Sequence, residues 1–571
     1  MKKNPSPDLE PVYHRIPAYL IGAFLALLAV IAIPVVFSPE GAAEELLGGS
    51  ITDFCMSGRE VILFILAVVI LLWFAGERIF PEKPLRSVLC SDRNMRVLLI
   101  LCGGYFLWAL MSTLISGNRS VGFLGFPTVL EGLAAVFGYM VIFLGGYEYF
   151  SGEKPRRLLR WILAAALGII GVMAVIDLSA GPLAELLFGF TDKRPGMSLL
   201  FGNSTVSAEV CVLLFLPGLA VAFDEETLWK RILFGALSGA ALLGVICSNS
   251  SAAFMTLPVC AGVLVIFTLA ARKASLIRVA AALISCLIPL GIFTAIAPDR
   301  VSHYICVELH NGSAFEPEGS YGIEEINVDL NTLTLAGEGK SMQIEINGGA
   351  LSFTAEGEPM NSSTEGSLTR FSDSGYEMVS VEKDGNLVLV DLGYEDKIPF
   401  EVTGDVFQYI DTAGYLSEIT PTRFTEYSRY FGLVSGRGYI WLQTFPLLKD
   451  RLIFGAGAGG FPFIFPQNDA AGLLRTHGAL ILTAKPHCMY LQIFTEYGLP
   501  ALLMFAAIAV LVLVRGVKGS WRSGSALPAG LTMAWLAWLV MGVVNDSAVP
   551  FSIWAWFLAG VLLTFDRKNK A

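Results

Sequence analysis

Residues 252–271 read A-A-F-M-T-L-P-V-C-A-G-V-L-V-I-F-T-L-A-A, a run without a single charged side chain. About 20 apolar residues in a helix span the hydrocarbon core of a bilayer, so this run predicts a membrane-spanning helix. Arg272 and Lys273 follow it directly, and another apolar run begins at Leu276. Two apolar runs joined by a short basic loop are typical of a polytopic membrane protein.

The rest of the chain repeats this pattern. It has 571 residues, 54% of them hydrophobic, and a mean hydropathy of +0.63, which excludes an ordinary soluble domain. We therefore predict a polytopic α-helical membrane protein with about twelve spans, at 17–37, 60–76, 97–115, 127–149, 158–178, 206–223, 231–247, 252–271, 276–297, 497–514, 526–544 and 549–565.

The distribution of Lys and Arg predicts the orientation of these spans. The N-terminus, the C-terminus and alternate short loops hold 23 of the 39 basic residues. The remaining short loops hold only four, Arg59, Arg119, Lys193 and Arg194. Because cytoplasmic loops carry the excess of basic residues, both termini are expected in the cytoplasm of a plasma or inner membrane protein. The long segment 298–496 is then expected to be extracytoplasmic.

The long segment divides into an acidic part and a basic part. Residues 303–418 hold 22 Asp and Glu against four Lys and Arg, whereas residues 423–487 hold three against seven. Between 321 and about 410, apolar and polar residues alternate, and turns such as Asn347-Gly348 separate the runs. This pattern predicts an inserted antiparallel β module. We expect four regions: 1–297 with nine spans, the acidic β-rich insertion 298–420, the basic segment 421–496 with amphipathic helices on the membrane surface, and 497–571 with three spans.

The basic segment carries the residues that indicate function. An outer-leaflet substrate with a diphosphate needs fixed positive charge, which Arg supplies in bidentate form. A glycine-rich turn such as G-A-G-A-G-G at 455–460 can offer backbone N–H groups to an anion. A hydroxyl nucleophile needs a base, and histidine suits that role. The available side chains are Arg194, Arg429, Arg437 and His487.

Two motif segments resemble the O-antigen ligase and polymerase superfamily. They are G-R-G-Y-I-W followed by the 455–460 turn, and P-H-C-M-Y-L-Q-I-F-T-E-Y-G at 486–498. F-G-N-S-T at 201–205 is similar to an earlier motif of that family. The positions that match the family are Arg437, Trp441, Gly455, Gly457, His487, Leu491, Glu496, Gly498 and Asn203.

The resemblance implies a membrane glycosyltransferase of the GT-C type. Such an enzyme moves glycan from undecaprenyl diphosphate to a glycan, lipid or cell-wall acceptor, without a metal ion or another cofactor and with inversion. It implies that Arg437 and His487 are catalytic. The charge argument and the resemblance together predict substrate-binding roles for a further set of residues: Arg194, Asn203, Arg429, Trp441, Gly455, Gly457 and Glu496. No nucleic acid partner is expected, and the resemblance leaves open whether other polysaccharide-assembly proteins take part.

The chain departs from the family pattern in two places. S-N-S-S-A-A at 248–253 lacks the arginine that the family often has there, and Cys488 stands where asparagine usually follows the histidine. A transporter or flippase of polysaccharide or lipid-linked oligosaccharide is the alternative, since twelve spans with both ends inside is also a transporter layout.

Overall fold

The helices are the main elements of this computed structural model, which describes residues 15–33, 35–37, 51–53, 55–79, 93–127, 129–189, 196–299, 320–337 and 339–566. The helices in chain order are α1 Ile16–Leu27, α2 Ser57–Ile79, α3 Arg93–Ile115, α4 Leu133–Tyr149, α5 Glu153–Ala180, α6 Leu183–Phe188, α7 Ser204–Asp224, α8 Leu228–Cys247, α9 Ser251–Ala270, α10 Leu276–Ile296, α11 Leu433–Thr444, α12 Ala470–His477, α13 Met489–Tyr497, α14 Leu499–Arg522, α15 Leu527–Met541 and α16 Val549–Leu562.

The chain is a polytopic helical membrane protein with a separate β-sheet region. Within the described ranges, nine helices are long and apolar enough to cross a membrane: α2, α3, α5, α7, α8, α9, α10, α14 and α16 with the 3-10 turn that extends it. Three shorter apolar helices accompany them: α1 with its extension to Val30, α4 and α15. Helix α7 lies at the centre, with its apolar residues buried on every face.

Two of the predicted spans are too long. The run 17–37 is helical only to Val30, and its last residues form a short strand, β1 Val35–Phe37, which pairs antiparallel with β2 Ile51–Asp53. The run 127–149 becomes helical only at Leu133. An apolar run indicates burial in lipid or protein but does not indicate backbone conformation. The run can therefore be longer than the helix that it contains.

The β region confirms the predicted insertion and forms two antiparallel sheets. The strands are β3 Ile323–Asp329, β4 Thr332–Gly337, β5 Lys340–Asn347, β6 Ala350–Ala355, β7 Glu358–Pro359, β8 Ser362–Glu365, β9 Leu368–Phe371, β10 Ser380–Asp384, β11 Leu387–Asp391, β12 Ile398–Thr403, β13 Val406–Ile410 and β14 Leu416–Ser417. Strands β3–β7 make one sheet and β8–β14 the other, always with sequence neighbours side by side. Alternate apolar residues of both sheets share one core, as in a β-sandwich.

The β-sandwich is attached to the segment that follows it. Ala470, Ala471 and Leu474 of α12 are buried in the sandwich core. The backbone N–H of Leu480 donates to Asp396 at 2.8 Å. The position of α12 therefore depends on the β region, although α12 itself belongs to the basic segment.

Candidate functional site

A cavity of about 560 Å³ lies at the end of the helices next to the β-sandwich. Its walls come from distant parts of the chain: the starts of α2 and α7, the start of α11, the end of α12, and the loops before α13 and α16. The chemically relevant lining residues are Asp53, Asn203, Glu209, Arg437, His477, Lys485, His487, Asn545 and Asp546. The two residues that the sequence predicted as catalytic, Arg437 and His487, therefore lie in the same cavity.

The backbone before Arg437 directs this side chain into the cavity. Val434, Ser435 and Gly436 have left-handed φ values of 52°, 59° and 85°, so the regular part of α11 begins only at Arg437. Burial lowers the pKa of the Arg437 guanidinium, while the carboxylates of Asp546 and Glu209 raise it. The guanidinium forms no hydrogen bond or ion pair with another described residue. It is therefore available to an anionic ligand.

Trp441 positions the loop of His487. One helical turn after Arg437, its indole Nε1 donates a hydrogen bond of 3.0 Å to the carbonyl oxygen of Pro486. His487 itself has a φ of 50°, a conformation that is uncommon for residues other than glycine. Trp441 is thus placed to support the histidine loop rather than in the cavity lining itself.

His487 and Asp546 form a hydrogen-bonded pair. The His487 Nδ1 lies 2.8 Å from Asp546 Oδ2, and the other carboxylate oxygen accepts the Cys488 backbone N–H at 3.1 Å. Because a carboxylate accepts the Nδ1 proton, the lone pair of the neutral ring is left on Nε2. Burial raises the pKa of Asp546, but His487, Lys485 and Arg437 together lower it below its ordinary value. Asp546 is therefore held as a carboxylate.

His477 is a second histidine at the cavity wall. It is the last residue of α12, and its ring packs against Gly436 at the start of α11. Burial, and after it the charge of His487, lowers the pKa of His477 to about 4. The ring is therefore neutral near pH 7.

A buried ion pair lies behind the histidine loop. Lys485 Nζ is 3.1 Å from Glu131 Oε2, and both side chains are at least nine-tenths buried. Burial by itself lowers the pKa of the Lys485 ammonium, but Glu131, Asp546 and Glu496 raise it. Lys485 is thus charged, and it interacts with Asp546 at the cavity wall and with Glu131 and Glu496 in the protein interior.

The start of α7 supplies the opposite wall. Asn203 caps this helix by accepting the Thr205 backbone N–H at 2.8 Å, and it lines the cavity, as its predicted role requires. Glu209, six residues further on, accepts a hydrogen bond of 2.6 Å from the Asn545 side chain. The loop that carries Asp546 is thereby fixed to α7.

Gly455 and Gly457 do not lie in the cavity lining. The N–H of Gly455 donates to Ser112 Oγ and that of Gly457 to the Glu496 carbonyl oxygen, at 2.9 and 2.8 Å. A Cβ atom at Gly455 would come within 2.2 Å of the Glu496 backbone. Both N–H groups are used by the fold, so the geometry gives these glycines a packing role in place of the predicted anion nest.

Two other predicted substrate residues, Glu496 and Arg429, also fall outside the cavity lining. Glu496 is buried in α13 beside a much smaller cavity of about 30 Å³ that Glu131 and Tyr139 also line. Arg429 is exposed on a 3-10 turn, with its guanidinium 4.5 Å from the Tyr430 ring centroid. Arg194 lies outside the described residues.

Sequence reasoning missed Asp546, Glu209, Lys485 and Asn545. Asp546 stands in a loop of only seven residues between α15 and α16, where a carboxylate between two apolar helices is a usable signal. Glu209 was visible as a charge near the end of a span, but nothing in the sequence links it to the loops opposite.

The arrangement combines a guanidinium that is unpaired within the described part of the chain, a histidine with one fixed tautomer and a carboxylate behind it. Among the described residues, no group of three or more His, Cys, Asp or Glu side chains could hold a metal ion. No model of a known protein family matches the chain, and no curated protein matches it.

Proposed function

We propose that the chain is a membrane glycosyltransferase that transfers or polymerises glycan from an undecaprenyl-diphosphate-linked donor onto an acceptor hydroxyl during cell-surface polysaccharide assembly. The observation that carries the proposal is one cavity that holds both the His487–Asp546 pair and Arg437, whose guanidinium has no ion-pair partner among the residues that the structure describes. An anion site next to a fixed base suits the transfer of a group from a diphosphate to a hydroxyl.

All twelve apolar helices cross the membrane in this proposal. The three shorter ones, of 12 to 17 residues, extend to a spanning length with their flanking turns or lie where the bilayer is locally thin. The excess of Lys and Arg in alternate loops then places both termini in the cytoplasm and residues 298–496 outside. The cavity opens at the outer leaflet, where a lipid-linked donor presents its diphosphate.

The proposed reaction is a direct displacement. Arg437 binds the diphosphate and neutralises the charge that grows on it as the bond to the anomeric carbon breaks. His487 Nε2 accepts the proton of the acceptor hydroxyl while the hydroxyl oxygen attacks the anomeric carbon on the face opposite the diphosphate. The configuration is inverted, and undecaprenyl diphosphate leaves with the bonding electrons. Asp546 holds the imidazolium that forms.

A complementation experiment tests the proposal. The gene is deleted, and the length and attachment of surface polysaccharide are measured after return of the wild type, His487→Ala or Arg437→Ala. We expect both variants to lose at least about 99% of the polymer or ligated product at normal protein level. Arg423→Ala, an exposed arginine of the same segment, is the matched control and should restore the glycan.

The same strains separate transfer from transport. A transferase defect leaves complete lipid-linked units on the outer leaflet, whereas a flippase defect leaves them on the inner leaflet. Accumulation on the inner leaflet, or full restoration of glycan by both site variants, would contradict the proposal.

A further inference from the structure

We propose that Glu131 is a positioning residue that keeps His487 and Asp546 at hydrogen-bonding distance. Its carboxylate is the centre of a buried hydrogen-bond network, which we call the hub. The effect of Glu131 on catalysis rests on the proposed transferase function, whereas its effect on the positions of His487 and Asp546 does not. The observation is that one carboxylate receives four hydrogen bonds. Oε1 accepts from Tyr139 at 2.7 Å and Ser547 at 2.6 Å, and Oε2 accepts from Lys485 and Gln492, both at 3.1 Å.

Two of the four donors belong to the loops that carry the site. Lys485 precedes His487 by two residues, and Ser547 directly follows Asp546. The same groups also bind each other, since Lys485 Nζ donates to the Ser547 carbonyl oxygen at 2.6 Å. The Ser547 N–H donates to the Gln492 side-chain oxygen at 3.0 Å. The relative position of the two loops is therefore set by this hub.

Glu131 is itself held from the opposite side. Glu60 of α2 accepts the backbone N–H groups of Gly132 and Ala135 at 2.9 and 3.1 Å. These bonds fix the start of α4 and the residue before it. The chain of contacts thus runs from α2 through Glu131 to the two loops of the site.

A role in positioning explains why the hub is ionic. A buried ion pair contributes little net stability, because desolvation offsets the attraction of the charges. Apolar side chains of similar volume would pack the same space at least as well. A carboxylate with four fixed donors instead selects one arrangement of the groups around it. The hub therefore fixes geometry rather than adding stability, and the geometry that it fixes is the His487–Asp546 hydrogen bond of 2.8 Å.

The test observes the tautomer of His487 in the purified full chain. The protein has five histidines, so a ¹⁵N-histidine NMR spectrum is simple, and the His487 signal is identified by its loss in His487→Ala. In the wild type we expect one tautomer, protonated at Nδ1. In Lys485→Met, which frees the histidine loop from Glu131, we expect exchange between both tautomers and loss of the single signal.

Tyr139→Phe is the matched control. It also removes one hydrogen bond to the Glu131 carboxylate, but Tyr139 belongs to α4 and not to a loop of the site. It should keep the wild-type His487 signal. If Lys485→Met does not fold, Ser547→Ala removes the Glu131 bond of the other loop and is expected to give the same spectral change.

The inference is overturned if the folded loop variant shows the wild-type tautomer signal, or if Tyr139→Phe loses it equally. Glycan assays of the same variants test the effect on catalysis, and we expect Lys485→Met to lower glycan synthesis at least tenfold. If His487→Ala retains full glycan synthesis, the transferase proposal fails, while the NMR result still decides the positioning role of Glu131.

Discussion

At the scale of single residues, the proposed reaction requires the charge of Asp546, which holds the Nδ1 proton of His487 and leaves Nε2 to act as the base. Asp546→Asn keeps the size of the side chain, but its amide can donate to Nδ1 and favour the opposite tautomer. We expect transfer to fall at least about 100-fold at unchanged protein level, measured as surface glycan per cell. Asp450→Asn, on an exposed turn of the same segment, should retain activity, and equal losses in both variants would argue against a specific role for Asp546.

Gly455 gives a second prediction at this scale. In Gly455→Ala, the new methyl group meets the Glu496 backbone at 2.2 Å, and hydrogen bonds hold the two backbone segments close together. We expect the variant to be less stable by about 1–3 kcal/mol, seen as a lower Tm in detergent. Gly262→Ala in α9, where the added Cβ meets no atom within 4 Å beyond its own helix backbone, should melt at or above the temperature of the wild type. An unchanged Tm for Gly455→Ala would contradict the packing role.

The sequence identified the site residues that local patterns mark. Arg437 and His487 stand in short motifs with aromatic, glycine and proline neighbours, and Asn203 stands just before an apolar run, so each could be recognised. Asp546 joins them only through its tertiary contact with His487, more than fifty residues away, and Lys485 and Glu209 meet their partners Glu131 and Asn545 across still longer separations. Their pairing is a property of packing, which hydropathy and charge counts do not record. Gly455 and Gly457 show the reverse error, since glycines that permit close packing look the same in sequence as glycines that bind an anion.

At the scale of elements, α12 connects the β-sandwich to the site. One of its faces is buried in the sandwich core and its last residue, His477, lines the cavity. A change in the sandwich can therefore reach the cavity through one short helix. The alternation of residues predicted the strands well, because one face of each strand is buried. It could not predict that α12 would complete their core.

His477 at the end of α12 predicts a pH dependence of stability. Its pKa is about 4 in the folded chain against an ordinary 6.5, so between these values the unfolded chain binds a proton that the folded chain does not. Stability is therefore lost as pH falls from about 6.5 towards 4. We expect Tm in detergent to drop less between about pH 7.5 and about pH 5 in His477→Gln than in the wild type. Equal drops in both proteins would refute the assignment.

At the scale of the whole molecule, the proposed orientation can be tested by labelling. In a chain whose nine cysteines are replaced by alanine, Leu330→Cys places a thiol on the exposed turn between β3 and β4. Glu226→Cys places one on the exposed loop between α7 and α8. A membrane-impermeant maleimide should label the first in intact cells and the second only after permeabilisation. The opposite result would reverse the orientation.

The walls of the cavity are drawn from residues between Asp53 and Phe551, and this has a consequence for biosynthesis. The ribosome delivers Arg437 and His487 before Asp546, whose loop leads directly into α16, and α16 packs beside α4 and α7. A nascent chain can therefore hold Arg437, which binds the donor in the proposed function, while it still lacks the partner of His487. Activity should appear only on completion of the last helix, so that premature termination anywhere before α16 yields inert fragments and not uncontrolled enzymes.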